Sequence, residues 1–155
     1  GPMMEVARIG YGIAQRAGSA KLDISTAEAM KQALLKAQSV SLFPESAAGT
    51  FVLKTFERLG IGDAMKPKIK SQPPNQIAAA VAKGDAELAV FLTNLLIAPG
   101  VELVGPFPGD LQQELVITAA VAAKSKEPDA ANAFISFLKS PAAAAVFLAK
   151  GVKPG

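Results

Sequence analysis

The 155-residue chain contains no cysteine and no histidine. These two absences exclude disulfides, thiolate chemistry, the usual zinc sites and every catalytic triad that relies on an imidazole. Long apolar runs are missing too: the longest nearly apolar stretch, residues 88–98, is interrupted by Thr93 and Asn94 and is too short to cross a bilayer. No membrane insertion is expected. The excess of one sign of charge is also small. The formal net charge is +3, and the one basic cluster, Lys66, Lys68 and Lys70, has no aromatic residues interleaved, so no nucleic-acid partner is indicated. The start lacks a charged segment followed by an apolar one, so no secretory signal is read there. Gly1 and Pro2 before Met3 have the form of a protease scar.

Half of the residues are apolar, which suits a globular domain with a real core. Residues 39–60 carry the most information. Residues 39–43 alternate like a short strand that Pro44 closes, Ser46 is a good N-cap, Phe51, Phe56 and Leu59 share a helical face with Val52 beside it, and Gly60 stands where a left-handed residue is needed. This is a strand, loop and helix. Ala47, Ala48, Gly49 and Thr50 are small, so the free N–H groups of the first turn stay open to an anion or a carboxylate, which the helix dipole also favours. The competing reading is an ordinary capped helix whose small residues allow tight packing.

The remaining segments follow the same logic. Residues 5–16 read as one strand with Ile9, Tyr11 and Ile13 on one face and Gly10 and Gly12 on the other. Those glycines begin a dinucleotide fingerprint, but Gln15 stands where the third glycine belongs. Ser25 and Glu28 form a capping box for a helix whose stripe is Met30, Leu34 and Leu35. Residues 66–70 read as an edge strand with its lysines in water, and Pro73 and Pro74 open a helix that Gly84 stops. Residues 86–92 are continuously apolar, as a central strand covered on both faces would be. Thr93 and Asn94 follow at its carboxyl end, where open α/β sheets bind ligands; either can instead cap the next turn. A strand at 101–104, a loop with Gly105, Pro106, Pro108 and Gly109, a strand at 114–123 and helices at 128–138 and 141–150 complete the chain. Strands and helices alternate, so the expected fold class is α/β with an open, mostly parallel sheet flanked by helices. Ser136 and Lys139 make an S-x-x-K pair without its supporting motifs, and it reads as the polar side of an amphipathic helix.

In order and spacing these segments resemble the type 2 periplasmic solute-binding proteins, in particular the molybdate-binding-protein-like group of ABC transporter components. The likeness runs through IGYGIAQRAG and DISTAEAMKQAL, then AAGTFVLKTFERLGI, AAAVAKGDAELAVFL and PGVELVGPFPGDLQ, to the ending FISFLKSPAAAAVFLAKGVKPG. It implies that residues 5–112 are the second lobe of such a protein. Residues 113–155 would be the returning strand and closing helices of a first lobe that is mostly absent. It also implies a periplasmic setting, or a cytoplasmic one if Met3 is the natural start, and an ABC permease as partner. The expected ligand site comprises Ala48, Gly49 and Thr50, with Thr93 and Asn94 as second candidates, and involves no metal and no cofactor. Molybdate itself is disfavoured, because the central strand ends in Phe91 and Leu92 and the next helix opens on two prolines that offer no N–H.

Three functions are weighed. The first is a solute-binding component, or a truncated relative, that holds a small anion or organic acid without catalytic residues and is not an enzyme. The second is a self-associating module, a homodimer formed or exchanged through the carboxyl-terminal segment, because Phe134, Ile135, Phe137, Leu138, Val146, Phe147 and Leu148 would otherwise be exposed. The third is an isomerase of small carboxylic acids on the same scaffold, with Glu45, Asp85, a lysine or Tyr11 for proton transfer.

Overall fold

The computed structural model describes residues 4–119 and 128–154. In chain order the elements are β1 (Met4–Ile9), β2 (Tyr11–Arg16), α1 (Ala27–Lys36), β3 (Val40–Leu42), α2 (Ala47–Arg58), α3 (Gly62–Met65) and β4 (Ile69–Ser71). They continue with α4 (Ile77–Lys83), β5 (Leu88–Leu92), β6 (Val101–Pro106), β7 (Leu115–Ala119), α5 (Pro128–Leu138), α6 (Pro141–Ala149) and β8 (Lys153–Pro154). They form two compact units: Gly10–Gln113, and a second built from Gly1–Ile9 with Glu114–Gly155.

The unit Gly10–Gln113 holds a five-stranded sheet in the order β4-β3-β5-β2-β6. Strand β5 is central, and Leu88, Ala89, Val90 and Phe91 are buried, so the unbroken apolar run has the two-faced cover that it requires. The fold class is α/β, and the sheet is mixed rather than mostly parallel. Strands β4 and β5 run parallel to β3, whereas β2 runs antiparallel to β5 and to β6. The physical reason is connectivity. Parallel neighbours need a crossover, which α2 and α4 supply between β3, β4 and β5; β2 and β6 enter the sheet without one.

Local chemistry explains the element ends. Gly60 and Gly84 adopt left-handed backbones (φ 74° and 84°) just past α2 and α4, which ends each helix without a Cβ penalty. Helix α1 starts one residue later than the capping box implies. Thr26 accepts the N–H of Ala29, because Ser25 is held instead by Asp23, to which it donates from both its N–H and its hydroxyl. Nor do all the lysines of 66–70 lie free in water: Lys68 Nζ donates to the carbonyls of Leu35 (2.6 Å) and Ala37 (2.8 Å), closing the carboxyl end of α1. Residues 66–68 form a 3-10 turn, and only Ile69–Ser71 is strand, at the sheet edge.

The expected single strand over residues 5–16 is two strands in two different sheets, and the units divide between Ile9 and Gly10. Alternation alone cannot reveal such a break, since both halves keep the same period. In the other unit, β1 is the middle of a three-stranded antiparallel sheet, β7-β1-β8. Strand β7 accounts for residues 115–119 of the strand expected at 114–123; residues 120–123 lie outside those described, as do Gly1, Pro2 and Met3. Helices α5 and α6 pack on β1 around a small core of Val6, Ala7 and Ile135, with Leu138, Phe147 and Val152 against it. Much apolar surface stays uncovered. Leu115, Val116 and Ile117 of β7, Phe134 and Phe137 of α5, and Val146 and Leu148 of α6 are 41–63% exposed. Ser136 and Lys139 are exposed as well, so α5 has a polar side but lacks the fully buried apolar side that its sequence implies.

Candidate functional site

The parallel pairing of β3 with β5 brings their carboxyl ends to one edge of the sheet. Helix α2 begins after a four-residue loop, residues 43–46, that follows the end of β3 at Leu42, and the turn Thr93–Leu95 follows β5 directly. All five expected ligand residues therefore belong to the same edge. The antiparallel strand β2 starts there with Tyr11, opposite Leu92, and β6 finishes there with Pro106, opposite Gly12.

At the start of α2, the Ser46 hydroxyl accepts the N–H of Gly49 (2.9 Å) and donates to the carbonyl of Phe43 (2.9 Å), tying the cap to the loop that follows β3. The N–H of Thr50 already makes the first helical bond to Ser46 O, and the Thr50 hydroxyl donates to the same oxygen (3.0 Å). Two first-turn donors therefore remain for a ligand, the N–H groups of Ala47 and Ala48. Gly49 has a different role from the expected one. It is buried, and a Cβ there would fall 2.6 Å from the Phe43 carbonyl carbon and 2.7 Å from Pro44 Cα, so glycine is needed to seat the helix on the loop.

Thr93 is pinned through its backbone: its N–H donates to Gly10 O (2.9 Å), and its carbonyl accepts from Leu96 (3.1 Å). A Cβ on Gly12 would lie 3.0 Å from Thr93 Cγ2 and 2.8 Å from Gly105 O. The glycine pair that begins like a nucleotide fingerprint thus makes room for neighbouring strands and turns. Asn94 Oδ1 is buried with no hydrogen-bond partner among the described residues, an acceptor for which the protein supplies no donor.

Sequence reasoning named Tyr11 as a proton-transfer candidate but missed the aromatic and amide contacts that hold it and join these parts. The Tyr11 ring lies 4.3 Å from that of Phe51 on α2 and 5.7 Å from that of Phe107, centroid to centroid. Tyr11 is 3% exposed, and burial pushes its phenol pKa above the ordinary value of 10. Its backbone is clamped by the carboxamide of Gln112, which accepts the Tyr11 N–H (2.8 Å) and donates to the Tyr11 carbonyl (2.9 Å), beside a bond from Phe107 N–H (3.0 Å). Gly10 has no side chain because that carboxamide occupies the place: a Cβ would lie 2.7 Å from Gln112 Nε2. The pair is 101 residues apart in sequence, so no local pattern could signal it.

Among the acid and base candidates, Glu45 stands in the loop at this edge, exposed, with Ser71 donating to its carboxylate (3.4 Å). Asp85 does not: it follows Gly84 at the amino end of β5, roughly 16 Å away at ~3.3 Å per residue along five residues of strand. A cavity of about 650 Å³ opens near that opposite edge, lined by Arg16, Ser39, Lys83 and Glu87 among others. Its polar groups serve chain turns: Glu87 accepts the N–H of Gln38 (2.7 Å), and Ser39 accepts that of Glu87 (3.0 Å). No cluster of three or more acidic side chains suited to a metal ion occurs among the described residues.

The fold is that of the type 2 periplasmic solute-binding proteins, and the chain belongs to the bacterial extracellular solute-binding protein family, which it matches over residues 4–153. Among curated proteins it is similar to aconitate isomerase from a Pseudomonas species, with 35% identity over 144 residues, which are 92% of this chain and 55% of that protein. Among solved structures it resembles a substrate-binding domain assigned to a molybdenum ABC transporter from Clostridium difficile (TM-score 0.80, 19% identity, 97% of this chain and 66% of that one). It also resembles the periplasmic molybdate-binding protein of Azotobacter vinelandii (TM-score 0.65, 22% identity, 98% and 68%). The chain thus spans just over half the length of the curated relative. The isomerase match corrects the expectation of a protein that is not an enzyme, since a relative similar over nearly the whole chain is itself named as one.

Proposed function

We propose that the carboxyl edge of the five-stranded sheet is half of a site for a small polycarboxylate, and that the protein isomerises such an acid as its curated relative is named for doing. The observation that carries this reading is the 35% identity to aconitate isomerase across 92% of the chain. The geometry agrees with it. The N–H groups of Ala47 and Ala48 suit one carboxylate, the Asn94 amide suits a second polar group after rotation of its terminal amide, and Thr93 and Thr50 stand at the same edge. Moving a double bond in an unsaturated tricarboxylate requires a base to take a proton from the methylene carbon. The electron pair then forms the new double bond while the old one delocalises onto the far carbon and its carboxylate, and a proton returns to that carbon. Glu45 is the carboxylate at this edge for that base. Membership of the family supports an extracytoplasmic setting and an ABC permease as a further partner.

The test is to incubate the chain with trans-aconitate and follow the cis isomer by proton NMR, with equilibrium binding of both isomers measured in parallel. Binding and turnover that Glu45→Gln abolishes while binding persists would support both roles. Failure to bind either isomer would remove the polycarboxylate site; binding without turnover would leave a receptor.

A second reading is favoured by the uncovered apolar residues of the unit formed by Gly1–Ile9 and Glu114–Gly155. Strand β7 is an edge strand that carries no charged residue, and α6 is apolar on all sides, which is the pattern of a buried helix. A homodimer through this carboxyl-terminal segment would cover both. Light scattering at increasing concentration should then give twice the chain mass, and Val116→Lys should return it to the monomer. A wild-type monomer throughout would end this reading.

A further inference from the structure

Glu45 lies in the loop of residues 43–46, whose ends are tied together: the hydroxyl and the N–H of Ser46 both donate to Phe43 O (2.9 and 3.4 Å). The backbone on either side of Glu45 is therefore fixed, but its side chain is exposed and several bonds long, so its carboxylate is free to sweep unless something holds it. Strand β4 supplies that hold. Parallel pairing sets Ser71 opposite Leu42, the last residue of β3, and Gln72 N–H donates to Leu42 O (3.0 Å), so both strands finish at the same level. Alternation puts Ser71 on the same face of β4 as Ile69, which lines a cavity with Leu53 and Phe56 of α2, and so on the side from which the loop enters that helix. The Ser71 hydroxyl donates to Glu45 Oε2 (3.4 Å). Among the described residues it is the one donor to this carboxylate, and no ion pair engages it there.

We propose that Ser71 is a positioning residue for the isomerisation, holding the Glu45 carboxylate by one oxygen so that the other faces the substrate carbon. The assignment rests on the isomerase reading of this edge and on Glu45 as its base. Its chemistry suits the step: the proton leaves the methylene carbon and arrives on the free carboxylate oxygen, and a base makes such a transfer only from a narrow range of positions. A hydroxyl is a fitting partner, because it fixes the direction of a carboxylate without placing beside it the full positive charge that would oppose protonation. The length of the bond is also in character, since the hydrogen bonds of catalytic groups are often long before substrate binds and shorten in the complex. Ser71 acts through Glu45 and touches no reacting atom. Its role is therefore separate from that of the Ala47 and Ala48 N–H groups, which would hold a carboxylate of the ligand itself.

The experiment measures initial rates of trans-aconitate isomerisation by proton NMR, over a range of concentrations, for the wild-type chain, Ser71→Ala and Ser71→Thr. Ser71→Ala should lower kcat roughly threefold to tenfold, the usual effect of losing one hydrogen bond in the transition state, with KM changed by less than about twofold. Ser71→Thr, which returns the hydroxyl at a strand position that suits threonine, should recover kcat to within about twofold of the wild type. Both variants should match the wild type in urea unfolding, because Ser71 is exposed at the sheet edge. Ser71→Ala with the wild-type kcat, or with a loss of kcat that Ser71→Thr does not restore, would overturn the assignment of Ser71 and leave the isomerase reading standing. A raised KM at unchanged kcat would overturn it too, since the hydroxyl would then bind ligand rather than aim the base. A wild type without turnover, or Glu45→Gln with full turnover, would remove Glu45 as the base and the assignment of Ser71 with it.

Discussion

Replacing Gly49 by alanine tests how the helix end at the candidate site is built. The backbone of Gly49 is right-handed helical, so the usual expectation is a gain: alanine exceeds glycine in helix propensity by about 1 kcal/mol. The packing reverses the sign. A new Cβ would sit 2.6 Å from the Phe43 carbonyl carbon and 2.7 Å from Pro44 Cα. The Phe43 carbonyl oxygen would lie closer still, and carbon atoms prefer separations of about 3.5–4.0 Å, so the first turn of α2 and the loop must part by more than about 1 Å. These are backbone atoms, which cannot swing away as a side chain would. Overpacking of this kind costs about 1–3 kcal/mol, and at the upper end, less the propensity gain, the net loss is about 2 kcal/mol. At 2–4 °C per kcal/mol for a chain of this size, Tm should fall by about 4–8 °C. The same shift strains the bonds from Ser46 to Phe43 O and from Gly49 N–H to Ser46, so polycarboxylate affinity should fall as well. Thermal unfolding and calorimetric binding on the one variant read both effects. Gly60→Ala is the control: its φ is 74° and no atom stands within 4 Å of the added Cβ, so it should cost about 1 kcal/mol through backbone strain and leave binding intact. A Gly49→Ala protein as stable as the wild type would refute the contact with the Phe43 loop as the reason for glycine.

Ser46→Ala removes both the cap of α2 and the bond to Phe43 O, and should cost about 1–2 kcal/mol in urea unfolding while also weakening ligand binding. Lys68→Met keeps the apolar stem but leaves the carbonyls of Leu35 and Ala37 without their donor; a loss of about 1–3 kcal/mol with unchanged binding is expected, measured by the same methods. Asp23 has its pKa lowered by the bonds from Ser25, chiefly the one from the hydroxyl. A lowered folded-state pKa gives stability that is present above the unfolded value, near 3.8, and is lost as pH falls through the folded one. Acid unfolding curves of Asp23→Asn should therefore diverge least from the wild type at the lowest pH, and a constant difference at every pH would contradict the linkage.

What the sequence made legible was local. The strand, loop and helix of residues 39–60, the N-cap at Ser46, the glycine stops at Gly60 and Gly84 and the buried strand β5 each follow from contacts within a few residues. The features it hid depend on groups distant in sequence or on competition between close equals. Ser25 and Thr26 are adjacent hydroxyls, and only the pull of Asp23 decides which one caps α1. The break of the first strand at Gly10, the mixed direction of the sheet and the clamp from Gln112 all depend on partners about 80–100 residues away. The resemblance to the solute-binding family supplied the edge at which the candidate residues meet. It did not supply the packing of Tyr11, because the ring is placed by Phe51 and Phe107, which meet it only in three dimensions.

The carboxamide of Gln112 has a consequence for how this edge breathes. Beyond Pro106 the strand β6 has ended, and a side chain carrying the same donor and acceptor as a peptide group completes the ladder at Tyr11 in its place. A backbone ladder opens only when strands separate, a cooperative event, whereas a side-chain amide can leave through rotation about its own bonds. Hydrogen exchange at the Tyr11 amide is thereby uncoupled from exchange in the rest of β2. It should run faster than at the neighbouring buried amides, giving β2, one of the strands that border the candidate site, a locally gated first residue.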